Sequence, residues 1–167
     1  MSFVVTFARE NLKFSAAHFT VFPDGQVERL HGHNYQVSVA LHGEQLRGGL
    51  LFPFHEIKPQ ILALCQAWDE RVLLPAASPA LRIGREGTQV QVEVRSAVVR
   101  KFYSFPAEDV ILLPLDNISC ENLASHLLAA LAEWIGTKGF PLHHLELSLS
   151  ESPGQSVRAE MDLPAAN

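Results

Sequence analysis

Three histidines are the residues best suited by type and spacing to do chemistry. His31 and His33 stand two apart in RLHGHNYQV (29–37), at the head of an alternating stretch. On a strand, residues i and i+2 point the same way, so both imidazoles can be presented to one side. Gly32 between them puts no bulk on the opposite face. His18 ends the segment FSAAHF and is the candidate third ligand. Three neutral imidazoles with a fourth position open make a catalytic-type zinc site. Such an ion polarises a substrate oxygen or lowers the pKa of a bound water. Spacing alone leaves a plainer alternative open, because an H-x-H pair can simply satisfy hydrogen bonds ahead of a strand. His42, His55, His126, His143 and His144 show no comparable partners. His143 and His144 are adjacent, point to opposite faces of a strand, and read as surface.

The elements that must position these residues follow from hydrophobic period. Residues 3–7 and about 10–18 read as strands, and 34–42 alternate with a period of two. Tyr35, Val37, Val39 and Leu41 face one way, and Gln36, Ser38 and Ala40 the other. Phe54, Ile57, Ile61, Leu64 and Cys65 recur at helical spacing. Pro53 suits a first turn, whereas Pro59 is awkward deep inside a helix and leaves its start open. Residues 75–87, with prolines, small residues and glycines, read as loop. Residues 88–94 and 98–105 predict a hairpin, and 110–114 a short apolar strand. Ser119 is the N-cap expected for a helix starting near Cys120. The apolar face of that helix is Leu123, Leu127, Leu128, Leu131 and Ile135, with Gly136 and Gly139 as stop signals. Residues 144–151 predict a last strand with Leu145, Leu147 and Leu149 inward. Strands with two interleaved helices make an α+β fold.

Composition narrows the function classes. With 167 residues, of which 47% are apolar, and a net charge of −5, the chain is expected to form one domain over residues 1–167. No basic surplus points to nucleic acid. No apolar run approaches the roughly 20 residues of a membrane span. The N-terminus lacks a signal-peptide pattern, so a cytoplasmic protein with reduced thiols is expected. Cys65 and Cys120 lie far apart and form no metal-type pair.

The combination FSAAHF, a spacer, then ERLHGHNYQVSV resembles the 6-pyruvoyltetrahydropterin synthase and 6-carboxytetrahydropterin synthase family. WDERVLLP (68–75) resembles that family's Asp-His segment, and PLDNISCENLA (114–124) its Thr/Ser-x-Glu-Asn helix start. LSLSES (147–152) resembles its last strand, which ends in a pterin-binding glutamate. The resemblance covers almost the whole chain in order. It implies a tunnelling fold (T-fold): a four-stranded antiparallel sheet with two helices on one face. Three subunits would join as a barrel, two trimers would stack as a homohexamer, and active sites would lie between subunits. It implies Zn2+ held by His18, His31 and His33, and a small-molecule pterin substrate, dihydroneopterin triphosphate. The implied activity is that of a lyase eliminating or cleaving the substrate side chain, as in the carboxy-forming step of deazapurine (queuosine) biosynthesis. Glu151 would anchor the pterin, whose 2-amino group and N3–H lie side by side and can both donate to one carboxylate. Ser119, Cys120 and Glu121 match positions beside the ring. Cys120 stands for a threonine-like residue, so backbone contacts are expected there, and Glu121 also fits a first-turn acid.

Two positions depart from the pattern. The resemblance implies a cysteine base four residues before the first histidine of HGH, and that position is Val27. The family's Asp-His pair reads Asp69-Glu70 here. Asp69 keeps its place in the catalytic relay, while Glu70 either replaces the histidine or pairs with Arg71 or a neighbouring subunit. Glu28, three residues before His31, matches a branch of the family in which glutamate serves in place of cysteine. That branch cleaves the side chain to give 6-hydroxymethyl-dihydropterin. Alternatively Glu28 is a loop residue, and the chain is either an ordinary family enzyme or a zinc- and pterin-binding protein without the normal activity.

Overall fold

A computed structural model describes residues 1–164 of the chain. The alternation at its centre forms β3 (His31–Gly43), the longest strand, on which the rest of the sheet is laid. Tyr35, Val37, Val39 and Leu41 are buried as the period of two requires. β1 (Phe3–Phe7) and β2 (Lys13–His18) lie end to end along one edge of β3. Only the second half of the segment read from residue 10 is strand; Glu10 and Asn11 form a turn. β9 (Leu142–Ser152) pairs with the other edge of β3, with Leu145, Leu147 and Leu149 buried as expected.

α1 spans Phe54–Trp68 and buries Ile57, Ile61, Cys65 and Trp68. Pro53 is its N-cap, and Pro59 lies inside the helix. Lacking an N–H, that proline leaves the His55 carbonyl without its helical partner, a loss confined to the exposed first part of the helix. α2 spans Cys120–Gly136, and the Asn122 N–H donates to the hydroxyl of the N-cap Ser119 at 3.3 Å. α1 packs on β2, and α2 on β9 and on β10 (Gln155–Asp162). Among the described residues no helix is long and apolar enough to cross a membrane.

The sheet is larger than four antiparallel strands. β4 (Arg71–Pro75) adds to β2 in parallel, and β8 (Val110–Leu113) adds to β4 in parallel. The seven strands follow the order β10-β9-β3-β2-β4-β8, with β1 also on β3. A separate three-stranded sheet consists of β5 (Leu81–Glu86), β6 (Gln89–Arg95) and β7 (Arg100–Pro106). The β6–β7 hairpin is the one expected. β5 corrects the loop reading of 75–87: Arg82, Gly84, Arg85 and Glu86 give no apolar run, yet the segment pairs with β6 from Gln89 to Val94. β10 is likewise unforeseen, although Val157, Ala159 and Met161 alternate with polar residues, and follows β9 through a turn at Gly154, whose φ of 85° suits glycine. Under the small sheet, Phe19, Leu74, Val90, Val92 and Val94 form a second apolar cluster.

Candidate active site

His31 and His33 project from the start of β3 on the face that carries Tyr35, and His18 ends β2 directly opposite His31. The ring centroids of His18 and His31 are 4.8 Å apart, those of His31 and His33 4.8 Å, and those of His18 and His33 5.4 Å. One nitrogen from each lies within 4.8 Å of the others. Two of the three second nitrogens are occupied: His18 Nδ1–H donates to the Ile118 carbonyl at 3.1 Å, and His31 Nδ1–H to the Arg29 carbonyl at 2.7 Å. Such bonds to the far nitrogen fix the tautomer that leaves Nε2 free to ligate. His18 Nε2 is buried with no hydrogen-bond partner. An orphaned buried acceptor costs about 1–3 kcal/mol, and a cation among the three imidazoles removes that cost. Burial pushes the His18 pKa below its ordinary value, with His31 and His33 adding to the effect. A neutral imidazole is the form a metal needs. The donor set therefore fits zinc.

These imidazoles stand at one end of a cavity of about 490 Å³. Glu28, Ser119, Cys120, Glu121 and Glu151 line it as well. Glu28 owes its position to a small hairpin. Val21 and Val27 form a β-bridge, Glu28 N–H donates to the Thr20 carbonyl at 3.0 Å, and Thr20 N–H donates to Glu28 Oε2 at 2.9 Å. Asn117 holds the hairpin from the side, donating to the Val21 carbonyl and accepting its N–H. Lys101 on β7 donates to the Val27 and Glu28 carbonyls at 3.2 and 2.6 Å. Val27 packs against the second apolar cluster and is not part of the cavity lining. Neighbours on an extended segment point oppositely, so Glu28 faces the cavity where Val27 cannot.

Neither cysteine is poised as a base. Cys65 is buried in α1, and burial pushes its thiol up to about 11. Cys120 reaches the cavity wall, but burial, with Glu151 and Glu121 nearby, pushes it up to about 11. Its S–H donates to the Leu149 carbonyl at 3.5 Å.

Asp69 and Glu70 are placed elsewhere. Asp69 Oδ1 accepts the Ser15 N–H at 2.7 Å, and Glu70 N–H donates to the Ser15 carbonyl at 2.7 Å. Glu70 has a φ of 56°, a left-handed conformation uncommon outside glycine. It lines a second hollow of about 400 Å³ with Ser15, Gly32, Asn34 and Arg71, to which His33 also contributes. Within one chain, neither residue lines the histidine cavity.

Sequence reading missed several lining residues. Thr20 binds Glu28 and also donates from its hydroxyl to the Ile118 carbonyl at 3.1 Å. Gln155, Ser156 and Val157 come from the unforeseen β10, which closes the cavity beside Glu151. His42 and His144, expected to lack partners, are brought together with Glu146. Their pairing depends on strand register and has no sequence signal.

Residues 8–162 match the family described as PTPS, 6-pyruvoyl tetrahydropterin synthase. A Methanocaldococcus jannaschii protein named provisionally as a 6-carboxy-5,6,7,8-tetrahydropterin synthase is 33% identical, over 87% of this chain and 88% of its own length. The crystal structure of Plasmodium vivax 6-pyruvoyl tetrahydropterin synthase superposes with a TM-score of 0.90 at 28% identity, covering 98% of this chain and 99% of that one. Two Plasmodium vivax variants, with a glutamate described as a catalytic residue replaced by alanine or cysteine, superpose with a TM-score of 0.89 at 26% identity. They cover the same shares of the two chains.

Proposed function

Because this chain is an enzyme of the 6-pyruvoyl tetrahydropterin synthase family, we propose that it is a zinc-dependent pterin enzyme in which Glu28 does the acid–base work. The observation that carries this reading is the placement of Glu28. Its side chain lines the same cavity as the three imidazoles, while Val27 packs away and both thiols are held protonated. The Plasmodium vivax variants, made at a glutamate described as catalytic, support a glutamate-based member of the family.

Bound by His18, His31 and His33, zinc supplies Lewis-acid polarisation of a substrate oxygen, which makes the neighbouring carbons more acidic. Glu151 accepts the 2-amino and N3–H donors of the pterin of dihydroneopterin triphosphate and so sets the ring's orientation. Ser119 borders the ring. Thr20 N–H holds one oxygen of Glu28, leaving the other to take the proton of the hydroxyl on the second side-chain carbon. That carbon becomes an aldehyde as its bond to the first side-chain carbon breaks. The two-carbon aldehyde leaves with the triphosphate, and Glu28 returns the proton to the first carbon. The expected product is 6-hydroxymethyl-dihydropterin. A second reading, the carboxy-forming lyase, is favoured by the name of the Methanocaldococcus jannaschii relative.

Product mass separates the readings. Protein supplied with zinc and dihydroneopterin triphosphate should release the hydroxymethyl product. A carboxy product would establish the second reading, and tight pterin binding without turnover would leave only a binding role. Glu28→Gln should lower kcat by about 10²–10⁴-fold with pterin affinity little changed; retained turnover would remove Glu28 from the chemistry.

A further inference from the structure

A second cluster of metal-binding side chains lies near the other end of β3. The register pairs His42 on β3 with His144 on β9, and His144 with Asp162 on β10. In the next row on that face, Ala40 pairs with Glu146, and Glu146 with Glu160. The intervening Leu41 and Leu145 are buried in the core. The cluster therefore faces away from the helices.

The ligand atoms of His42, His144 and Glu146 all lie within 4.8 Å of one another. His42 Nε2 is 2.7 Å from Glu146 Oε1. The three side chains are 21%, 23% and 18% exposed, sheltered yet reachable from solvent. His144 Nδ1 is 2.8 Å from Asp162 Oδ1. A carboxylate in this position is what typically stands behind a metal-ligating imidazole, leaving Nε2 with its lone pair in the neutral form.

Charge favours an added cation. Glu146 and Glu160 stand directly opposite each other, and like charges so placed are destabilising. Asp162 adds a third carboxylate. Arg158 engages Glu146 at Oε2, 3.1 Å away, and leaves Oε1 on the histidine side. On the β3 side, Ala40 sets only a methyl group beside Glu146. Two imidazoles and one carboxylate oxygen with positions open suit a divalent first-row transition ion.

We infer that His42, His144 and Glu146 form a second metal site, for a divalent transition ion, ~30 Å along β3 from His33 at the usual rise per residue.

The test is a titration of the full chain with Co2+, after the three-histidine site has been filled with Zn2+. The expected result is saturable uptake of a further ion with visible d–d absorption. His42→Ala and, separately, Glu146→Gln should each weaken that uptake by at least about tenfold. Zinc retained at the first site and an unchanged far-UV spectrum report that each variant is folded. Glu146→Gln keeps the side chain's volume and decides the matter where His42→Ala is unstable. Wild-type protein that takes up no further ion would overturn the site, as would uptake unchanged in both variants.

Discussion

Val27 and Glu28 are neighbours with opposite surroundings. The first joins the apolar cluster beneath the small sheet, and the second lines the histidine cavity. The peptide between them thus determines which chemistry the cavity holds: a carboxylate and no thiolate. Cys120 borders the same cavity, but burial and the nearby Glu151 and Glu121 keep it protonated. The sign is testable. A thiol with pKa near 11 is ionised to only about one part in a thousand at pH 8, and the thiolate is the reactive form. Alkylation of native protein by iodoacetamide should therefore be negligible at pH 8 for both cysteines, and that of the partly accessible Cys120 should rise as pH approaches 11. Rapid labelling of Cys120 at neutral pH would restore it as a candidate base.

At the scale of elements, the hairpin at residues 20–28 is the device that aims Glu28. Its own bridge is one pair long, between Val21 and Val27, and outside bonds add to the few backbone bonds it makes within itself, such as Phe22 N–H to the Gln26 carbonyl at 2.8 Å. Asn117 comes from the segment before α2, and Lys101 from β7 of the separate sheet. Displacing a catalytic group by about 1 Å can cost 10²-fold in rate. Lys101→Met should accordingly lower kcat by roughly 10–100-fold, with KM and the unfolding midpoint changed little. Steady-state kinetics beside thermal melts check this; an equal loss of KM and stability would make Lys101 a general structural residue.

For the whole molecule, three histidines from two strands are placed so that one ion would cross-link them. His18 also reaches the Ile118 carbonyl, which ties the site to the segment before α2. Zinc bound only by the folded state stabilises by about 2.7 kcal/mol when the free ion is at roughly a hundred times Kd. EDTA should lower Tm, added Zn2+ should restore it, and His33→Ala should abolish most of the response. Assembly is the second issue at this scale. We propose the hexamer of two trimers expected from the family, with Asp69 and Glu70 reaching the cavity of a neighbouring subunit. Light scattering should give six times the mass of one chain. Mixing subunits of inactive Glu28→Gln with inactive Asp69→Asn should recover activity; recovery of none would place both residues in one subunit's site or remove Asp69 from the chemistry.

Much of the architecture is local in origin and was legible. Side chains on a strand alternate by covalent geometry, so the inward sets of β3 and β9 and the common face of His31 and His33 follow from spacing alone. The face of α2 and its Ser119 cap are equally local. Strand partners are not. β5 and β10 alternate through Leu81 and Ile83 and through Val157, Ala159 and Met161, but among charged and polar residues that make the period faint, and nothing in RVLLP or VILLP announces that they pair in parallel. The same non-local register sets His42 beside His144 and Glu146, whereas Glu28 and Val27 point oppositely by local alternation and only the packing of their hairpin sets Glu28 beside the imidazoles. Residue types and spacings determined what chemistry was available to this chain. Only the pairing of distant strands decided which of those residues meet.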